Sequence, residues 1–161
     1  MDIKFFRYKE QHGMASCGDN RVVVKVIPES TEFIPAFQTK ESAGADIRSS
    51  IDVTLFPLQV EVVPAGFRCK IPEGYHAKIL SRSSMGKKGI IIPNQPGLID
   101  SDYTDEIKVL LLNLGKEPYT IKRGDRIAQW LLEKNMQYSW QQVEEIEDTE
   151  RKGGFGSTGT K

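Results

Sequence analysis

From Arg21 onward the sequence is a succession of short β-type runs, each stopped by proline or glycine. Residues 22–27 end at Pro28, residues 51–55 near Pro57, and residues 60–63 at Pro64-Ala65-Gly66. Residues 75–80 alternate as a strand with one covered face does. Residues 107–114 are apolar on both faces, which predicts a buried strand. Residues 119–121 and 126–132 follow, split by a Lys122-Arg123-Gly124-Asp125 turn. Short strands at this spacing, punctuated by Gly and Pro, predict an all-β sandwich or barrel. Helical signals are confined to residues 85–88, which suit one turn, and residues 141–150, a short helix or an acidic connector. No internal repeat is visible.

The chain has 161 residues, a one-domain length. That is enough to bury a core without disulfides. Lysine plus arginine total 22, as do aspartate plus glutamate, so the formal charge is zero. This balance gives no electrostatic ground for direct nucleic-acid binding or for binding a membrane surface. Any positive site must be local. No window approaches the roughly 20 apolar residues of a membrane span, and residues 1–6 lack the apolar stretch of a secretory signal. The expectation is a soluble intracellular protein, cytoplasmic, or nuclear in a eukaryotic or virus-infected cell. Cys17 and Cys69 are free thiols or one disulfide, and thiols are the ordinary state inside a cell. Three segments follow: a polar extension (1–20), a β domain (21–146) and a tail (147–161) with four glycines among residues 153–159.

Several clusters carry chemistry. Pro96-Gly97-Leu98-Ile99-Asp100-Ser101-Asp102-Tyr103 joins two apolar runs. Gly97 permits a turn or a close approach. Asp100 follows two residues of buried type, which predicts a carboxylate at the rim of the core. Tyr103 offers a flat apolar face with a polar tip. A carboxylate beside a ring suits activating a water next to a bound sugar or base, although a plain turn uses the same residue types. In Ser81-Arg82-Ser83-Ser84-Met85-Gly86-Lys87-Lys88-Gly89, Arg82 can grip phosphate oxygens in a fork, and a solvated basic turn is the bland alternative. In Ser42-Ala43-Gly44-Ala45-Asp46-Ile47, Asp46 is an anchor for an arginine or for a hydrated metal, and a tight bend is the simpler reading. Gln129 is a polar residue in a mostly apolar strand entered from the 122–125 turn. Gly154-Phe155-Gly156-Ser157-Thr158-Gly159 fits G-x-G-x-x-G but lacks the following helix that dinucleotide binding needs. Its amides and hydroxyls can still ring a phosphate chain, and Phe155 can stack on a base. A disordered terminus is the alternative. His12 and His76 are too scattered for a metal site.

Taken in order, Ala43-Gly44-Ala45-Asp46, Arg82-Ser83-Ser84, Gly97-Leu98-Ile99-Asp100-Ser101-Asp102-Tyr103, Gly124-Asp125-Arg126-Ile127-Ala128-Gln129 and Gly153-Gly154-Phe155-Gly156-Ser157-Thr158-Gly159 resemble the five motifs of the trimeric dUTPase family. The match spans residues 22–159. The resemblance implies a jelly-roll-like β-barrel or sandwich subunit and a homotrimer with its active sites at subunit interfaces. The tail of one chain would close over a site built by the other two. The implied reaction turns dUTP and water into dUMP and pyrophosphate, keeping uracil out of DNA and supplying dUMP for dTMP synthesis. Mg2+ is the implied cofactor, held by the substrate phosphates and water without direct protein ligands.

By position, the resemblance makes Asp100 the general base and Tyr103 the platform under the deoxyribose. Asn94 and the backbone around Gly97 would read uracil. Arg82, Ser83, Ser84 and Gln129 would hold phosphates. Phe155 and Gly156 would cover the base, Ser157 and Thr158 would meet the γ-phosphate, and Asp46 and Asp102 would support. The family usually has glycine at the places of Ser84 and Asp105. Its phosphate-binding arginine usually stands five residues before the phenylalanine, whereas Arg151 stands four before Phe155. Two rivals remain. The related dCTP deaminases carry a glutamate ten residues beyond the place of Asp100, where this chain has Leu110. A catalytically silent binding protein on the same fold would be expected to lose Asp100, Tyr103 or the tail, and all are present.

Overall fold

The structure is a computed structural model that describes residues 22–150. The extension 1–20 and the glycine-rich end of the tail lie outside the described residues. Ten strands are described: β1 (Lys25–Pro28), β2 (Ala45–Arg48), β3 (Val53–Leu55), β4 (Val60–Lys70), β5 (Tyr75–Ser81), β6 (Ile90–Ile91), β7 (Gly97–Ile99), β8 (Glu106–Asn113), β9 (Tyr119–Ile121) and β10 (Arg126–Lys134). One short α-helix, α1 (Ser83–Gly86), follows β5, and a single 3-10 turn (Thr31–Phe33) lies between β1 and β2. Two antiparallel four-stranded sheets, ordered β1-β4-β8-β6 and β2-β10-β5-β7, are joined by the pair β3-β9. This is the all-β sandwich that the short punctuated runs predict, in the jelly-roll-like form that the resemblance implies. No helix among the described residues is long and apolar enough to cross a membrane.

The core lies between the two sheets. Val63, Phe67, Ile107, Val109 and Leu111 from the first meet Ile47, Ala77, Ile79, Ala128 and Trp130 from the second. Phe67 and Trp130 meet edge to face across the gap, with centroids 6.0 Å apart. Burial of this apolar area is the main drive to fold. The strands contribute alternate residues, as their period of two dictates. In β5, Ala77 and Ile79 point inward and Lys78 does not.

Several expectations need correction. The run at Val60 does not stop at Pro64; β4 continues to Lys70. It passes Pro64 by an irregularity: β4 steps from Pro64 to Arg68 while β8 steps only from Lys108 to Glu106. Such a bulge accommodates a residue without an N–H. Gly66 sits inside it at φ 71°. The segment around Asp46 is strand β2 and not merely a bend, and residues 97–99 form β7, paired with β5. β8 is fully buried on one face only. Leu110 and Leu112 are half-buried and Lys108 is exposed. The first strand begins at Lys25, not Val22. Residues 141–150 form no helix, which leaves the connector reading. The helical turn starts at Ser83, two residues earlier than expected.

Candidate active site

β5 delivers one part of the site. It ends at Ser81, and Arg82 turns the chain into α1. The N–H groups that open such a turn have no partner within it, and the Ser83 and Ser84 side chains are exposed. Arg82 itself points back into the protein. Its Nε donates to Asp46 Oδ1 at 3.1 Å and its Nη1 to the Arg126 carbonyl at 3.0 Å. Arg126 Nη1 donates to Asp46 Oδ2 at 3.0 Å. Asp46 is 4% exposed, so a buried carboxylate holds two guanidinium groups, one on each oxygen. Of the two readings open for Asp46, the arginine anchor is the geometry found.

The register places Gln129 beside this network. On β10 it is flanked by Asp46 of β2 and Leu80 of β5. A Cβ on Gly44 would lie 3.3 Å from the Gln129 Cβ. The small residue therefore lets the chain before β2 pass close to Gln129. Outward of the arginines lies a cavity of about 300 Å³, lined among others by Arg82, Ser84, Lys88, Tyr119, Asp125 and Arg126. Lys88 Nζ donates to Tyr119 Oη at 2.9 Å and stands 4.9 Å from the centre of that ring. Three cationic side chains (Arg82, Lys88 and Arg126) against two carboxylates (Asp46 and Asp125) leave a net positive charge that suits an anion.

The other part is the β6–β7 connection, which passes from one sheet to the other, and the loop after β7. The connection is fastened to the end of β5. The Ile92 N–H donates to Ser81 Oγ at 3.2 Å, and Gln95 Oε1 accepts from the Ser81 N–H at 2.8 Å. Gly97 is buried, and a Cβ there would come within 3.4 Å of Asn94 Nδ2 and of the Ile79 Cβ. Glycine leaves β7 room beside β5 and Asn94, where a Cβ would already be in van der Waals contact with both. A small cavity of about 50 Å³ opens here, lined by Asn94, Gly97, Leu98, Lys108 and Leu110 among others.

Asp100 follows β7. It is exposed rather than set at the rim of the core, because Leu98 is itself 58% exposed. Asp102 is exposed too. The Tyr103 N–H donates to the Asp100 carbonyl at 3.2 Å, and the Tyr103 hydroxyl donates to the Glu106 carbonyl at 3.0 Å. The ring is thereby laid along the loop with a face toward solvent.

The structure thus brings Asp46, Arg82, Ser84 and Gln129 to one place and Asn94, Gly97, Asp100 and Tyr103 to another, both hung on β5. No described contact joins Asp100 to Arg82, Ser84 or Gln129. Arg151, Phe155, Gly156, Ser157 and Thr158 lie outside the described residues. Sequence reasoning gave no role to Arg126, Lys88 or Tyr119. Arg126 stands three residues before Gln129, but its pairing with Asp46 emerges only from the β2–β10 register.

Anchored arginines with hydroxyls turned outward suit a chain of phosphates, and a carboxylate turned to water beside a ring suits their hydrolysis. The class is a nucleotide-hydrolysing β protein. More narrowly, the dUTPase family model matches residues 32–159, and the chain belongs to that family. It is 44% identical over 143 residues to the deoxyuridine 5′-triphosphate nucleotidohydrolase of Fusobacterium nucleatum, covering 86% of this chain and 98% of that protein. To the enzyme of the same name from Neorickettsia sennetsu it is 48% identical over 143 residues, covering 86% and 96%. The solved structure of a mutant dUTPase from phage phi11 of S. aureus, described as coordinating a structural Mg(II) ion, is similar with a TM-score of 0.70. Its identity is 26% over 78% of this chain and 99% of that one.

Proposed function

We propose that this chain hydrolyses dUTP to dUMP and pyrophosphate by attack of a water on the α-phosphorus. The observation that carries the reading is the Asp100–Tyr103 turn: an exposed carboxylate one hydrogen-bonded turn from a ring held by its hydroxyl. Asp100 accepts a proton from the attacking water. The new bond joins the water oxygen to the α-phosphorus, and the bond to the β-phosphate bridging oxygen breaks. A general base must reach its water directly, and an exposed aspartate after β7 can. Tyr103 underlies the deoxyribose and leaves no room for a 2′-hydroxyl. Asn94 and the backbone at Gly97 read the uracil edge. Ser83, Ser84 and Gln129 hold the phosphates, with the charge of Arg82 and Arg126 behind them. Catalysis then comes chiefly from positioning and electrostatics.

The donor set fits Mg2+ carried on the substrate. Both Asp46 oxygens are occupied by arginines, and no group of three or more potential ligand side chains occurs among the described residues. The residues that would hold the ion are those that hold the triphosphate, Ser83, Ser84 and Gln129, together with water. When bound, it neutralises phosphate charge. Asp46 then serves the site by fixing the arginines, not by ordering the ion's waters.

No described hydrogen bond joins Asp100 to Arg82, Ser84 or Gln129, and a homotrimer in which a second copy completes the site fits this arrangement. The outer face of the first sheet supports self-association. Val60 and Val62 are 51% and 55% exposed opposite half-buried Leu112 and Leu110. Residues 151–161 would close over a neighbour's site, with Arg151, Ser157 and Thr158 on the γ-phosphate and Phe155 with Gly156 over the base. The deaminase alternative is disfavoured at Leu110, an apolar residue on the small cavity where an acid would be needed.

Product identification tests the reading. The protein is incubated with Mg2+ and, separately, dUTP, dCTP, dTTP and UTP. Formation of dUMP and pyrophosphate from dUTP alone is expected. Ammonia from dCTP, or no turnover by a folded protein, would overturn it. Sedimentation equilibrium at three times the chain mass is the expected assembly, and a monomer would sink the shared site.

A further inference from the structure

We propose that Arg68 is a positioning residue for sugar discrimination and acts through Tyr103; the proposal rests on the dUTP reading above. Arg68 stands on β4, outside all five motifs. Its Nε–H donates to the Thr104 carbonyl at 2.9 Å, and Nη2 lies 3.9 Å from the Asp105 carboxylate. Thr104 is the residue after Tyr103. The loop between β7 and β8 is therefore held by the two Tyr103 bonds to Asp100 and Glu106, and by a tether from a neighbouring strand near its β8 end.

The irregularity in β4 puts Arg68 there. Four steps on β4, from Pro64 to Arg68, face two on β8, from Lys108 to Glu106. The two extra residues preserve the alternation, so Arg68 is exposed like Val60 and Val62. They also hold it opposite Glu106, where the loop enters β8, whereas an uninterrupted register would set it opposite Thr104. A planar guanidinium can address a carbonyl and a carboxylate together. Asp105, in the place where the resembling family has glycine, is a loose ionic partner beyond hydrogen-bond distance. Its side chain is 84% exposed and that of Arg68 is 57% exposed, so the ion pair contributes little. The bond to the Thr104 carbonyl is the effective tether.

A ring that excludes one hydroxyl works by position. Displacement by ~1 Å can cost ~100-fold in a positioned reaction. Untethered, the loop keeps its internal bonds but loses its fixed distance from β4.

The experiment measures kcat and KM for dUTP and UTP with the parent, Arg68→Ala, Arg68→Lys, Tyr103→Ala and the double variant Arg68→Ala/Tyr103→Ala. Arg68→Ala is expected to lower the dUTP/UTP ratio of kcat/KM roughly tenfold, the low end for one lost steric contact. The loss should fall more on KM for dUTP than on kcat. Arg68→Lys should restore part of it, and the double variant should match Tyr103→Ala alone. Unchanged selectivity in Arg68→Ala, or additive losses in the double variant, would overturn the role of Arg68 and leave the dUTP reading intact. No dUTP turnover by the parent would overturn that reading and the selectivity role with it. Hydrogen exchange at residues 100–106 tests the tether whatever the substrate. Faster exchange confined to this loop in Arg68→Ala supports it, and unchanged exchange overturns it.

Discussion

Arg82 and Asp46 form a buried ion pair, 3.1 Å from Nε to Oδ1, and the second oxygen of Asp46 binds Arg126 at 3.0 Å. The side chains of Arg82 and Asp46 are 19% and 4% exposed. Removing one member of such a set leaves uncompensated charge in a poorly hydrated place. Asp46→Asn should therefore destabilise the fold by about 3 kcal/mol, the low end for a broken buried pair, because Arg126 keeps 38% exposure. Urea unfolding at neutral pH measures this, and a loss under about 1 kcal/mol would show that the arginines find water instead.

Gly66 is the hinge of the β4 irregularity. Its φ is 71°, and a Cβ there would lie 2.8 Å from the Ser50 Cβ and 2.9 Å from Phe33 Cγ. Ser50 and Phe33 are 3% and 1% exposed, so neither can swing away. Gly66→Ala should cost about 2–4 kcal/mol, combining left-handed strain with overpacking. Adding Ser50→Gly should recover part of the overpacking and none of the strain. Equal urea midpoints for parent and Gly66→Ala would contradict the geometry.

Asp52, the residue before β3, reaches across to the turn before β10. The Arg123 N–H, at 2.7 Å, and Lys122 Nζ, at 3.0 Å, both donate to its carboxylate. The Arg123 bond first, then Lys122, holds its carboxyl below the ordinary 3.8. A group whose folded pKa is lowered stabilises above its unfolded pKa. That contribution is lost as pH falls through the folded value. Asp52→Asn should therefore differ from the parent most at neutral pH, with the gap closing in strong acid. The effect is small, since the carboxylate is exposed. Urea midpoints at about pH 7 and about pH 2.5 check it, and a gap that persists in acid would refute the linkage.

These residues also show what the sequence made legible. The alternation of β5 was readable because Ala77 and Ile79 bury one face and nothing interrupts the run. β4 was not, because Pro64 and Gly66 look like a stop and are instead absorbed by a bulge whose partner, β8, lies forty residues away in the chain. β2 was hidden for an electrostatic reason. A buried aspartate argues against a strand until two arginines, 36 and 80 residues further on, are known to meet it. Asp100 was read as a carboxylate at the rim of the core, whereas it stands exposed after β7, a strand the sequence did not announce, because Leu98 faces solvent. Ordered motifs gave the candidate residues, whereas their grouping around β5 came from strand register, which spacing along the chain does not contain.

The role of Asp100 makes the sharpest prediction. The side chain is exposed after β7, so Asp100→Asn removes no buried contact and should leave folding and assembly as in the parent. An amide of the same shape can still orient a water but cannot accept its proton. General-base catalysis contributes typically ~10²–10⁴-fold, so kcat should fall by about that factor while affinity for a non-hydrolysable dUTP analogue stays within about twofold. Single-turnover kinetics and calorimetric titration separate the two. Parent-like turnover would remove Asp100 from the chemistry. Weakened analogue binding with kcat intact would make it a substrate contact instead of the base.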